Sequence, residues 1–532
     1  MMNRRNFLRT AAPAASVPFL LGGMPLSVMA ETRLWRALAR SESEDDRVLI
    51  LIQLNGGNDG LNTLIPLDQY ANLSRTRSVL MIPENKLLNI TDNNAFHPKM
   101  RGFQELFETE KLGIIQETGY PDPNFSHFRS TDIWTSASSS RDVVTSGWLG
   151  RYFYEDHPDF PTGYPNDDFP DPLALTIGAT VSQTCQGPIA NMGMAVDDPN
   201  SFYDLIGDSQ VTDEVPDTPA GVELTYIRQV MRQTNRYLDS VSSAYENGQN
   251  LSTKYPQQSY NNLGEQLRIV ARLIAGGIRT KVFVVGIGGF DTHANQVEDN
   301  QPNDVGMHAT LLESLSQSVS AFQDDLEKLG VADRVLGMTF SEFGRRVQAN
   351  GSYGSDHGTT APMFVFGTKV NPMIHGTNPQ IPDQVNVEFN LPMQHDFRSV
   401  YASVLRDWFG MDEASVSEVM LGDFPYIPIL EGGNVTTGLD EVPARDAFLH
   451  LYQNYPNPFT DMTRIRFMNR RPAQVGVYLF DGNGRKVIDL KNAYLSSGEH
   501  EVTLNGGRLK AGTYYCRLVV GSQQMVRKVV KV

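Results

Sequence analysis

Short apolar runs alternate along this chain with longer stretches that are apolar at every third and fourth position. The continuous run Arg47–Leu54 predicts a strand buried on both faces. Further runs predict strands at Leu112–Glu117, Lys281–Ile287, Arg334–Phe340 and Met363–Phe366. Helical periodicity covers 221–246, 262–275 and 304–329. In the last of these, Leu311, Leu315, Val319, Phe322, Leu326 and Leu329 share one face. Strands alternating with helices predict an α/β fold, a mostly parallel sheet with helices on both faces. Stretches rich in Pro, Asp and Gly at 155–172 and 205–220 read as surface excursions.

The pattern changes near the end. Residues 432–446 read as a linker, and residues 450–532 hold short alternating runs at Thr463–Phe467, Gln474–Phe480, His500–Leu504 and Thr513–Val519. Turn signals such as Asp481-Gly482-Asn483-Gly484 separate them, which predicts a small all-β sandwich. The other end is an address. Arg4-Arg5 precedes an apolar segment, Ala11 to Met29, that closes on Val28-Met29-Ala30 and meets Glu31. Residues 1–30 therefore read as a cleaved signal of twin-arginine type, and no transmembrane helix is expected in the mature form.

Composition narrows the partners. Of 532 residues, 40% are apolar and 20% charged, with a formal net charge of −16. That acidity repels phosphate backbones and argues against nucleic acid. The two cysteines, Cys185 and Cys516, are too few for a thiolate zinc site, so any metal must be held by oxygen and imidazole.

Chemistry in a parallel sheet sits beyond the carboxyl ends of its strands. Four loops there carry polar clusters: Asn55, Asn58 and Asp59; Asn124 to Ser130; Gly288 to His293; and Ser341 to Arg346, followed by Gly354 to Gly358. Asp and His together suit a divalent ion such as Zn, Mn or Mg. Ser126 either caps the helix that begins at His127 or acts as a nucleophile, helped by the helix dipole. Asp291 and Asp356 are either turn residues or ligands, and His293 and His357 either structural or ligating. Arg345 and Arg346 either pair with Glu342 or other surface acids or grip the oxygens of a phosphate or sulfate.

The strings at 54–63, 125–134, 147–151, 289–296, 341–346, 354–358 and 396–401, read together across 45–431, resemble the DUF1501 proteins. That family is similar in turn to the alkaline phosphatase and sulfatase superfamily. The resemblance implies an alkaline-phosphatase-like domain holding a divalent metal. Asp59, with Asn55 as a rival, would be the acidic ligand after the first strand. Ser126, with Ser130 as a rival, would be the nucleophile. Asp356 and His357 would hold one ion together with Asp59, and Asp291 and His293 would hold the other, with His395 or His375 as a late ligand. Ser126, His127 and Arg345 are the catalytic candidates. The implied activity is hydrolysis of phosphate or sulfate esters, with an anionic ester or glycan as substrate. Alternatives are a non-catalytic surface binding protein with a degenerate site, or a subunit of a surface complex. Tyr452 to Phe459, the alternating runs and the basic end Arg527–Val532 resemble the type A sorting domain of the type IX secretion system. It implies the type IX machinery and the twin-arginine translocase as partners, with export to the periplasm and then the cell surface or medium.

Overall fold

The computed structural model describes residues 46–197, 237–431 and, apart from short breaks, 449–532, with the dipeptides Leu20–Leu21 and Met24–Pro25. The remainder of the signal segment 1–30, the excursion 205–220, most of the helix expected at 221–246 and the linker 432–446 lie outside the described residues. The chain divides into two units, Met1–Asn434 and Val435–Val532.

The first apolar run forms β1, Val48–Leu54, and its side chains alternate between two cores. Val48, Ile50, Ile52 and Leu54 enter one; Leu49 and Leu51 enter the other. A strand with period two and no polar face must be covered on both sides. The other strands of its sheet are β2 (Leu112–Gly119), β3 (Ala174–Ile177), β4 (Gly193–Val196), β5 (Val282–Ile287), β6 (Val335–Phe340), β9 (Ala361–Phe366), β10 (Ile374–His375) and β11 (His395–Asp396). β7 (Gly344–Ala349) and β8 (Ser355–Gly358) form a separate hairpin. The order is β10-β2-β9-β6-β1-β5-β3-β4, with β11 also beside β2. β9 runs antiparallel to both its neighbours, while the other pairings are parallel. No crossover helix separates β6 from β9, only the hairpin, so the chain re-enters the sheet at the rim it has just left and must run back.

The helices expected at 262–275 and 304–329 are α4 (Leu263–Ala275) and α5 (Met307–Lys328). With α1 (Arg101–Glu108) they cover one face, through Phe103, Leu267, Val270, Leu315 and Phe322. The other face is covered by α2 (His127–Ser136), α3 (Trp148–Asp156), α6 (Phe397–Ser403) and α7 (Glu413–Met420), through Trp134, Trp148, Tyr401 and Val419. Each such side chain, fully buried, contributes roughly 1.5–3 kcal/mol.

The second unit is two antiparallel sheets. One orders Leu449–Leu451, Met462–Asn469 and Gly498–Asn505; the other orders Lys486–Leu495, Ala473–Asp481, Gly512–Val520 and Gln523–Lys531. Phe467, Val477, Leu504 and Leu518 fill its core. Three of these strands have no counterpart among the runs read in the sequence, the first being the short Leu449–Leu451. Lys486–Leu495 is an edge strand with little buried surface, and the basic end is itself a strand, Gln523–Lys531.

Near the carboxyl end of β2, Glu117 is buried and accepts a hydrogen bond from the Thr360 hydroxyl. Burial pushes its pKa from 4.5 up to about 7, against that hydrogen bond. A carboxyl whose folded pKa is raised contributes stability that is complete below about 4.5 and lost as pH rises through about 7. Glu117→Gln is expected to remove that loss. Compared with the parent by urea denaturation at about pH 5 and about pH 8, it should gain on the order of 3 kcal/mol in relative stability at the higher pH. An equal difference at both would refute the burial penalty.

Candidate metal centre and active site

Because β9 is inverted, the stretch before it lies at the same rim as the loops that follow β1, β5 and β6. The loop after β1 passes so close to the one after β5 that a Cβ on Gly56 (φ +123°) would meet the Asp291 amide nitrogen at 2.2 Å. Only glycine allows that approach. Arg345 then ties these loops together. Its Nε donates to the Gly57 carbonyl (2.8 Å), Nη1 to that of Ser355 (2.8 Å) and Nη2 to those of Phe290 (2.9 Å) and Gly56. Nη2 also reaches Asp291 Oδ1 at 2.9 Å. The guanidinium is wholly buried. Burial disfavours ionisation of Asp291, but hydrogen bonds and the charge of Arg345 outweigh it and hold the carboxyl at about 2.

Three histidines converge on that carboxylate. His357 Nε2 and His293 Nε2 lie 3.2 and 3.3 Å from Asp291 Oδ1, and His127 Nε2 lies 3.4 Å from Oδ2. The far nitrogen of each ring faces an oxygen that can only accept. His357 Nδ1 is 2.8 Å from the Phe125 carbonyl. His127 Nδ1 is 2.8 Å from Glu342 Oε1, which also accepts from the Gly56 amide at 2.8 Å. His293 Nδ1 is 3.1 Å from Asp356 Oδ1, which also accepts from Asn350 Nδ2 at 3.0 Å. Each Nδ1 therefore carries the proton in the neutral ring, and each Nε2 presents a lone pair. His293 Nε2 and His357 Nε2 lie 2.9 Å apart beside a negative oxygen. Two lone pairs that close repel unless a proton or a metal ion lies between them. His127, Asp291 and His357 each offer a ligand atom, and these atoms lie within 4.8 Å of one another. Imidazole held at Nδ1 by a carboxylate or carbonyl, with Nε2 free, is the usual preparation of a metal ligand. The donor set fits a divalent ion of borderline softness.

Ser126 stands at the amino terminus of α2 and is exposed, and its side chain does not cap the helix. Its amide is held by Asn124 Oδ1 at 2.9 Å, and its hydroxyl has no partner among the described residues. The rival Ser130 is wholly buried, bonded to Tyr120 (2.8 Å) and to the Glu342 carbonyl.

Asp59 and His395 are not brought to this cluster. Asp59 is fully buried and paired with Arg77 and Gln296. Burial pushes its pKa up, but Arg77, His308 and Gln296 outweigh it and the net shift is downward. Its carboxylate thus already has a cation. His395 pairs with Thr118 on β2 and sits by Gly376, close to His375. Burial lowers the pKa of both. The expected grip of Arg345 on substrate also needs correction, because every nitrogen of its side chain is committed to the loops. Arg346 is engaged too, by the His357 and Val387 carbonyls and by Glu388. Glu342, read in the sequence only as a partner for arginine, orients His127. No spacing signal marks it, because its partners lie 286 and 215 positions away.

The chain matches the family model described as protein of unknown function (DUF1501) over residues 46–420, and that of a secretion system C-terminal sorting domain over 453–532. No curated protein matches it. Among solved structures it is similar to a protein in the alkaline phosphatase superfamily from Vibrio parahaemolyticus, with 8% identity over 80% of this chain and 76% of that chain and a TM-score of 0.34. It is also similar to a sulfatase from Pseudoalteromonas sp., with 9% identity over 91% of this chain and 88% of that chain and a TM-score of 0.32. A short match to an FMN-binding β-glucuronidase from Facaelibacterium prausnitzii spans 17% of this chain and 12% of that chain, with 14% identity and a TM-score of 0.14. The fold rests on strand order and register, not on these distant likenesses. The sorting domain indicates export to the cell surface or extracellular space. No helix among the described residues is long and apolar enough to cross a membrane.

Asp59→Asn tests the separation of the buried pair from the rim. It would leave Arg77 buried without a counter-charge and is expected to cost about 3–5 kcal/mol in chemical denaturation. Zinc affinity, measured by calorimetric titration of metal-stripped protein, should stay within a few-fold. A large loss of affinity with little loss of stability would return Asp59 to the ligand set.

Proposed function

The chain is a member of the DUF1501 family, and from that premise we propose that it is a divalent-metal-dependent hydrolase of phosphate or sulfate esters working outside the cell. The observation that carries this reading is the convergence of three imidazole lone pairs on Asp291, each ring locked from behind by an oxygen. His127, Asp291 and His357 would hold the ion, with His293 and, behind it, Asp356 completing the set. A bound Zn, Mn or Mg ion supplies Lewis acidity toward an ester oxygen. Nitrogen-rich ligation favours zinc or manganese over magnesium.

Ser126 is the nucleophile in this reading. Its Oγ attacks phosphorus or sulfur, the bond to the alcohol oxygen breaks, and the serine proton leaves with that alcohol. Water then releases inorganic phosphate or sulfate and restores the hydroxyl. The first amides of α2, with no helical acceptor of their own, face developing negative charge at the helix terminus. Those amides take on the role that the sequence suggested for Arg345. The proposed route runs through the twin-arginine translocase and the periplasm to the type IX machinery, and glycans or other surface polymers are the proposed carriers of the ester.

One observation favours a second reading, a binding protein with a degenerate site. Asp59 is neutralised by Arg77, and neither Arg345 nor Arg346 is free to hold an anion. Turnover of aryl phosphates and aryl sulfates separates the two. Hydrolysis is expected with zinc or manganese, to be abolished by a chelator and restored by the ion. Ser126→Ala and Asp291→Ala should each lower kcat at least a hundredfold, with only Asp291→Ala weakening metal binding. Stoichiometric metal without turnover would support the binding protein instead.

A further inference from the structure

A second built site lies on the other side of β2, between the edge strand β10 and a small antiparallel sheet of Leu64–Pro66, Leu88–Asn89 and Asn94–Phe96. It is a cleft of about 590 Å³, within the roughly 300–1,000 Å³ usual for small-molecule sites. Asn378 is its keystone. Its amide nitrogen donates to Asp68 Oδ1 and to the Asn93 carbonyl (2.8 Å), and its amide oxygen accepts from Asn94 Nδ2 and from Gln116 Nε2 (3.2 Å). Two donors and two lone pairs are all such an amide has, so Asn378 is saturated and its partners are fixed. Gln116 and Asn94 are themselves more than nine-tenths buried.

The lining is unusual in what it offers. Its polar groups are amides and hydroxyls, with Asp68 as the charged member and no Lys, Arg or His. That excludes phosphate and sulfate, which need cationic or strongly convergent donors. One carboxylate is also too few for a hard cation, which takes six to eight oxygens. Beside the amides lie Phe107, Met373 and Ile374. A surface of amides and one carboxylate next to an apolar wall matches a molecule with a hydroxyl edge and a C–H face. The side-chain amides of Asn93 and Gln380 are exposed at the cleft and make no hydrogen bond among the described residues, which leaves them available to a ligand.

We propose that this cleft binds a neutral sugar unit, separately from the metal cluster. It does not depend on the hydrolase reading and would anchor a protein of either kind to a polysaccharide. The full-length protein would be titrated with cellobiose, maltose, lactose and glucuronic acid by saturation-transfer NMR and calorimetry. Saturable binding of at least one neutral disaccharide is expected, with glucuronic acid weaker because Asp68 repels it. Asn93→Ala with Gln380→Ala, both on exposed side chains, should weaken that binding about tenfold, as for loss of one or two hydrogen bonds. Asp291→Ala should leave it unchanged, so failure of the hydrolase reading and failure of this one are told apart. Absence of saturable binding to every neutral disaccharide overturns the proposal. So does binding that survives the double variant, or glucuronic acid binding more tightly than the neutral sugars.

Discussion

A guanidinium buried at the rim of a parallel sheet must be satisfied by whatever the neighbouring loops can turn toward it. At Arg345 those loops turn their backbones inward. The carbonyls of Gly56, Gly57, Phe290 and Ser355 all accept from it, and Asp291 supplies the countercharge. A buried cation stripped of these partners would cost several kcal/mol, so the loops are held to one arrangement. That arrangement aims the Asp291 carboxylate outward, with one oxygen shared by Arg345, His293 and His357 and the other facing His127. The geometry of this rim therefore depends on a residue that does not face solvent at all.

The inverted strand β9 makes the gathering possible. Had a helix crossed from β6 to β9, Ser355 to Gly358 would have been delivered to the opposite rim, and Asp356 and His357 with them. The sequence pattern carried β1, β2, β5, β6 and β9, the two long helices and the loops that hold polar clusters, because those depend on local periodicity and on the position of loops relative to strands, whereas the shorter strands such as β3 and β4 show no such period. It did not carry the direction of β9. Nothing in Met363–Phe366 differs from a parallel core strand, and the deciding fact is that the preceding hairpin never leaves the rim.

The same limit explains which site residues were legible. Asp291, His293, Asp356 and His357 could be grouped from the sequence because each lies within a few positions of a strand end. Asp59 meets that criterion equally well, yet its carboxylate is turned inward to Arg77, on a segment with no periodicity to announce it. His395 was offered for its place late in the chain, and chain order says nothing of which strand edge a histidine joins. Glu342 shows the reverse case. It reads as one acid among arginines, and only the distances to Gly56 and His127 reveal its task.

The proton inventory of the three histidines links these points. Each Nδ1 is held by a group on a different stretch of chain: the carbonyl of Phe125, the carboxylate of Glu342 and that of Asp356. One oxygen of Glu342 serves both the Gly56 amide and His127, so the β1 loop cannot shift without turning a ring of the cluster. Asn350 in turn holds Asp356 and the His293 carbonyl, which fixes the hairpin against the β5 loop. The tautomers follow from these contacts before any ion is considered. The rim is thus set to present nitrogen lone pairs by its own hydrogen bonds, without rearrangement of the chain.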